Sequence, residues 1–306
     1  MSLFLEKRMK DAAVRLGYLA ETVQLLHPGS GSPRAYTLLP HASVPRRLAP
    51  RRWWHVGSQV MVPTEGSIAV HLSEVFSRPV ETVLHVRPAL RANRKPILEA
   101  RSGGERLAFV KIGDSARARR LVTAEAAALR RLAGLSLDTV TAPTVLHHGD
   151  WRGLAVLALS PLPVRRGRVP APLLRAAIRE IAGTGGPRAA WHGDLAPWNL
   201  CPAPDGRVLV WDWERYEVGV PYGFDAVHHF FHRALRRMGP PAAARACVAR
   251  SVRELAPLGL SAAVAKQTAL RYLIALADRH AADGHAPLGP PRSWLNPVVD
   301  HEELLT

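Results

Sequence analysis

Apolar residues along this chain fall first into short blocks and later into helical spacing. From Thr82 the runs "TVLHV" and "PILEA" have the length of strands, and "SGG" (Ser102 to Gly104) makes a turn before a third run, "ERLAFVKIG". "SARARRLVTAEAAALRRLAGL" then places Leu121, Ala124, Leu129 and Leu132 near one helical face. "TVLHHGD" and "GLAVLALS" follow as a hairpin that turns around Asp150 to Gly153. Together these blocks predict a small lobe of three strands, a helix and two more strands.

After "SPLPVRRGRVPAP", residues 160–172, the spacing becomes helical. "LLRAAIREIAG" is short and amphipathic, and longer patterns run from about Tyr222 to Met238, Pro240 to Leu255 and Ser261 to Asp283. In the first of these, Phe224, Val227, Phe231 and Leu235 recur at helical steps. "RVLVWDW" reads as a strand entered through the turn "DGR". Ahead of both regions, prolines and glycines break Pro28 to Arg52 into extended pieces, and "TEGSIAVHLSEVF" predicts a helix with Thr64 as its N-cap. The expected class is α+β in two lobes. An N-terminal extension (1–75) packs on a small antiparallel β lobe with one helix (76–160), and a mainly helical lobe follows (161–306).

One stretch fits neither period. "WHGDLAPWNL", Trp191 to Leu200, gathers an imidazole, a carboxylate and an amide in a segment unsuited to helix or strand. Asp194 and Asn199 stand in the pattern H-x-D-x-x-x-x-N, and Asp212 follows at the end of the apolar run "VLVWDWE". Phosphoryl transfer needs these residue types. One carboxylate accepts or orients the proton of the attacking hydroxyl, while an amide oxygen and a second carboxylate hold magnesium against the phosphates. Asp194 is therefore the candidate catalytic residue, and Asn199 and Asp212 the candidate Mg2+ ligands. His192 is expected to be structural.

"HGDLAPWN" and "VWDWE" resemble the aminoglycoside phosphotransferase and choline kinase-like family, small-molecule kinases with a protein-kinase-like fold. The resemblance covers about residues 80–290. It implies a catalytic-loop aspartate at Asp194, a metal-binding asparagine at Asn199, a second metal-binding aspartate at Asp212 and a mainly structural aspartate at Asp225 in "GFDAVHHF". Such a kinase also needs a strand lysine on the nucleotide phosphates and a helix glutamate to hold it. "AFVKIG" offers Lys111 and the following helix offers Glu125. One departure is that no G-x-G-x-x-G follows the first strand of the small lobe, where "RPALRANRK", Arg87 to Lys95, takes its place.

Composition narrows the alternatives. The 306 residues can form two packed lobes, and no run approaches the roughly 18 apolar residues of a membrane span. The N-terminus mixes charge into its apolar positions and offers no signal-peptide core. Two cysteines, Cys201 and Cys247, make no disulfide framework, and a cytoplasmic location is expected. The net charge of +16 raises a nucleic-acid surface. The arginines are scattered, however, and such a surface leaves both polar motifs unexplained. "RRWWH" near residue 53 is expected to pack its tryptophans on the small lobe. His228, His229 and His232 in "HHFFH" lack an HExxH or a cysteine partner, and Phe230 and Phe231 point to helix packing.

The expected protein is an enzyme that uses ATP or another nucleoside triphosphate with Mg2+ to phosphorylate the hydroxyl of a sugar, amino sugar, amino alcohol or antibiotic. Trp198, Trp213, Glu214 and Trp294 are candidate acceptor-lining residues. A pseudokinase keeps this fold but normally loses Lys111, Asp194 or Asp212, all of which are present.

Overall fold

A computed structural model describes residues 2–40, 46–86, 94–165, 167–284 and 288–303. The chain divides into two compact units, Met1–Thr123 with Val145–Pro161, and Ala124–Thr144 with Leu162–Thr306.

The first unit is built on one sheet. Helix α1 (Ser2–Leu26) precedes β1 (Pro33–Leu39), β2 (Arg47–Pro50), β3 (Gln59–Pro63), α2 (Ile68–Phe76), β4 (Glu81–His85), β5 (Ile97–Ser102) and β6 (Glu105–Gly113). In chain order helix α3 (Ala116–Ala133), which runs on into the second unit, and the short β7 (Val140–Thr141) of that unit come before the hairpin of β8 (Val145–Trp151) and β9 (Leu154–Leu159). Eight of these strands pair antiparallel in the order β3-β1-β2-β4-β5-β6-β9-β8. All six residues of β9 are buried, so this strand reads as an unbroken apolar run instead of an alternation. Both expected turns form, through left-handed Gly103 and Gly104 and through left-handed Arg152 and Gly153. The Arg87 to Lys95 turn lies mostly outside the described residues, 87–93 among them.

The extended pieces before residue 75 become β1, β2 and β3 of the same sheet, and Leu19 and Leu26 of α1 join its core beside Ile68 and Leu72 of α2. Two local expectations fail. Ser67, not Thr64, stands at the N-cap of α2, and its hydroxyl turns back to the Thr64 carbonyl at 2.7 Å. Trp53 and Trp54 do not pack inward. They are 90% and 60% exposed in the turn after β2 and touch each other edge to face.

Glu99 of β5 is a buried charge of this unit. Burial opposes its ionisation, but His85, Arg106 and Arg101 bond its two oxygens at 2.8–3.1 Å and hold the carboxyl well below the usual range.

The second unit is mainly helical. It contains α4 (Ala171–Gly183), α5 (Phe224–Leu235), α6 (Pro240–Leu255), α7 (Ala262–Ala282) and α8 (Asn296–Glu303). Between α4 and α5 the chain forms only short strands: β10 (Ala190–Trp191), β11 (Leu200–Pro202), β12 (Val208–Val210) and β13 (Glu217–Val218). β11 and β12 pair antiparallel, β12 pairs parallel with β7, and β10 pairs with β13. Ser261 caps α7 by accepting from the Val264 N–H. Trp294 is fully buried against Phe231. Among the described residues no helix is long and apolar enough to cross a membrane.

A single carboxylate ties α4 to the β7 entry. Glu180 accepts from the backbone N–H groups of Asp138, Thr139 and Val140 at 2.6–3.1 Å. Removing it strips three donors of a charged acceptor at once. Glu180→Ala is expected to lower unfolding free energy by about 3 kcal/mol, measured by urea denaturation.

Candidate active site

The loop from Trp191 to Asn199 makes little regular structure, so buried side chains must satisfy its backbone. Asp225, near the start of α5 and 3% exposed, accepts from the His192 N–H at 2.8 Å. Burial raises the Asp225 carboxyl to about 7, with the His192 and Gly193 N–H groups pulling the other way. Arg279 of α7 donates to the Gly193 carbonyl at 2.5 Å and lies over the Trp191 ring. His192, fully buried, accepts the Asp194 N–H at Nδ1, so its Nε2 carries the proton and donates to the Trp211 carbonyl at 3.1 Å. The expected structural role of His192 has a definite form: it clips the loop to the exit of β12.

Gly193 is required by geometry. Its φ is +80°, and a Cβ would stand 2.0 Å from the Arg215 carbonyl oxygen. Gly193→Ala therefore has neither the backbone freedom nor the space, and is expected to cost at least about 2 kcal/mol. Thermal unfolding checks this.

Asp194 and Asn199 are brought together. The Asn199 amide nitrogen donates at 2.9 Å to both the Asp194 carbonyl and its Oδ2, which leaves the amide oxygen free of that pair. Asp194 Oδ1 meets His228 Nε2 at 3.0 Å, and the Tyr272 hydroxyl meets His228 Nδ1 at 3.1 Å. A carboxylate only accepts, so the proton sits on Nε2 and the Tyr272 hydroxyl donates to Nδ1. Burial keeps the His228 ring well below the ordinary imidazole range, hence neutral. The Asp194 side chain still retains 35% exposure while its partner His228 has none. A carboxylate held at both oxygens yet open to solvent is oriented for use.

Asp212 is placed by the β11–β12 ladder. Leu200 pairs with Val210, and the Trp211 N–H donates to the Asn199 carbonyl, so Asp212 leaves the strand beside Asn199. It adopts a left-handed backbone, φ +66° and ψ +53°, before a single 3-10 turn from Trp213 to Arg215. That conformation is uncommon for a residue other than glycine and concentrates at functional positions.

Lys111 lies in the first unit on β6, opposite Leu157 of β9 in the sheet interior, and is 5% exposed. Glu125 lies in the second unit on α3 and is fully buried. Neither is the solvated surface charge that an isolated lysine or glutamate usually is.

Two proposed acceptor-lining residues are excluded. Trp213 and Trp294 have no exposure; Trp213 donates to the Val210 carbonyl and packs on His192 at 4.5 Å. Trp198 remains 48% exposed beside His232. The loop's neighbouring cavity, about 610 Å3, instead has Pro197, Leu200 and Phe230 in its walls together with Arg168, Arg233 and Arg250. His228, Tyr272 and Arg279 were not identified as site residues by sequence. "HHFFH" carried a signal in its four-residue histidine spacing, but Tyr272 and Arg279 sit in a helix with no local mark.

Comparison with solved structures establishes the fold. A candidate fructosamine-3-kinase from Haemophilus somnus 129PT superposes with a TM-score of 0.50 at 13% identity, over 76% of this chain and 96% of that one. The kinase-methyltransferase WbdD matches at 16% identity and a TM-score of 0.35, over 58% of this chain and 42% of that one. No family model matches the chain, and no curated protein matches it by sequence. The fold is thus protein-kinase-like, with a β-sheet N-terminal lobe and a helical C-terminal lobe.

The buried histidines make a pH signature. Burial lowers His229 from 6.5 to about 4, so the unfolded chain takes up its proton first as pH falls. The stability contributed by neutral His229 is complete above pH 6.5 and is lost on descent towards about pH 4. Asp225, with its raised value, acts in the opposite sense and loses its contribution as pH rises to about 7. His229→Gln should therefore flatten the acid limb of stability against pH by about 1.4 kcal/mol per pH unit, read by urea unfolding at several pH values.

Proposed function

We propose that the chain is a small-molecule kinase of the aminoglycoside phosphotransferase and choline kinase-like type, transferring the terminal phosphoryl group of ATP or another nucleoside triphosphate to a substrate hydroxyl in the cytoplasm. The observation that carries this reading is the Asp194 carboxylate, fixed by Asn199 and His228 and still reachable from solvent. It accepts the proton of the acceptor hydroxyl as that oxygen bonds to the terminal phosphorus. The bond to the bridging oxygen of the nucleoside diphosphate breaks, and its electron pair leaves with the diphosphate.

Asn199 and Asp212 fit Mg2+. Both present hard oxygens, the Asn199 amide nitrogen is committed to Asp194, and the strand ladder sets the two residues side by side. Mg2+ held there would neutralise charge on the donor phosphates. By the family resemblance, Lys111 is the proposed phosphate-binding lysine and Glu125 its proposed helix partner. Retention of these residues favours turnover over a nucleotide-binding scaffold.

The proposed acceptor is a hydroxyl of a sugar, amino sugar, amino alcohol or antibiotic. Among the described residues, the arginine-rich cavity beside Pro197 has Arg236 and Arg237 also in its wall and no carboxylate, which suits an acceptor carrying an acidic group better than a polycationic antibiotic.

Asp194→Asn tests the assignment because it retains volume and removes the proton acceptor. Phosphoryl transfer over a panel of hydroxyl compounds should fall by about 10²–10⁴-fold, while nucleotide affinity stays within a few-fold of wild type. Unchanged transfer with a lowered melting temperature would make Asp194 a structural loop residue.

A further inference from the structure

The histidines that sequence spacing consigned to helix packing acquire a third partner in the folded chain. His228 and His232 lie one turn apart on α5, with ring centroids 4.2 Å apart. The catalytic loop brings Asp194 against them, so that one donor atom from each of the three side chains lies within 4.8 Å of the others. His228 Nε2 and Asp194 Oδ1 are already 3.0 Å apart. Two ligands at the usual ~2.0–2.2 Å from a tetrahedral ion stand about 3.3 Å from one another, so this pair needs only a slight expansion, and the His232 nitrogen, within 4.8 Å of both, turns in to complete the set.

Two independent features point to a ligand at this place. His232 Nε2 is enclosed and has no hydrogen-bond partner among the described residues, a costly arrangement for a buried polar atom. His228, in turn, has an outer partner on the far side of its ring, the Tyr272 hydroxyl at 3.1 Å. Metal-bound histidines characteristically use such a contact to fix ring orientation and tautomer.

We infer that Asp194, His228 and His232 form a binding site for a zinc-type divalent cation, separate from the Mg2+ ligands Asn199 and Asp212, and that its occupancy withdraws Asp194 from phosphoryl transfer. Two imidazoles and one carboxylate suit Zn2+ and leave a fourth position open, whereas Mg2+ prefers oxygen donors and is a poor competitor here. On binding, the proton now on His228 Nε2 resides on Nδ1 and is donated to the Tyr272 oxygen, so this ring needs no net proton loss. The inhibitory consequence rests on the kinase reading; the site itself does not.

The test begins with binding, which needs no acceptor. Tag-free protein in excess Mg2+ is titrated with Co2+ in the visible region, and Zn2+ affinity follows from displacement and chelator competition. One Zn2+ is expected to bind tighter than about 10 µM, with no thiolate charge-transfer band. His232→Gln should weaken this by about 100-fold or more and Tyr272→Phe by at least about 10-fold. His229→Gln, whose Nδ1 engages the Leu195 carbonyl instead, should leave it unchanged. Histidine-selective 15N spectra of the wild type provide a readout that needs no variant to fold, since the ring nitrogens of His228 and His232 should shift on Zn2+ addition. Absence of a site tighter than about 10 µM, affinity unaltered by His232→Gln, or shifts confined to other histidines would overturn the site. If Zn2+ binds as described and the acceptor panel shows no transfer, the kinase reading fails and the metal site stands. If transfer is found and persists with the site filled at saturating Mg2+ and nucleotide, the inhibitory role is overturned.

Discussion

The helical unit's site depends on one constraint: a loop without regular hydrogen bonding has to be held open inside a packed core. Every backbone group it buries needs a partner, and helices α5 and α7 and the loop's own side chains supply them. Asp225 takes the His192 N–H, Arg279 takes the Gly193 carbonyl, and His192 itself spans from the Asp194 N–H to the Trp211 carbonyl. Two of these supports, His192 and Asp225, are buried. A water-exposed loop with the same sequence would have many conformations in which Asp194 and Asn199 never meet.

The same supports set the electrostatics. Asp225 is pushed towards its neutral form, and His228, His229 and His232 are held neutral, each mainly because burial disfavours its charged form. Asp194 therefore sits between neutral rings and solvent, with the Arg279 guanidinium as a nearby cation. A neutral imidazole can orient the carboxylate by donating one hydrogen bond without quenching it as a full counter-charge would.

The first unit solves a different problem, closing a large sheet with charged residues inside it. Lys111 and Glu99 lie on adjacent strands β6 and β5, both with almost no exposure. Glu99 is ionised through His85, Arg101 and Arg106. That network makes an arginine-rich sequence compatible with a buried acid, and it gives part of the large positive charge a structural use. The exposed pair Trp53 and Trp54 shows the limit of treating aromatic residues as core. Their turn follows β2 directly, and nothing in their spacing decides which way they face.

Strand and helix positions from Thr82 onward were legible because local periodicity and turn chemistry agree there. The glycine pair of Ser102 to Gly104, the tight turn at Asp150 to Gly153 and the helix from Ser261 to Asp283 required no tertiary information. The polar motif around Asp194 was legible for the opposite reason, since it suits neither period. The α2 cap was misplaced because serine and threonine are near-equal caps, and the backbone path chose between them. Tertiary structure alone decided that Trp213 and Trp294 are core, that Tyr272 and Arg279 support the loop, and that Asp194 joins His228 and His232. Those residues are 19 to 100 positions from Asp194 in the chain. A spacing rule reports on neighbours within a turn or a strand, whereas the packing of α5 and α7 around one irregular loop is a long-range property that no local pattern carries.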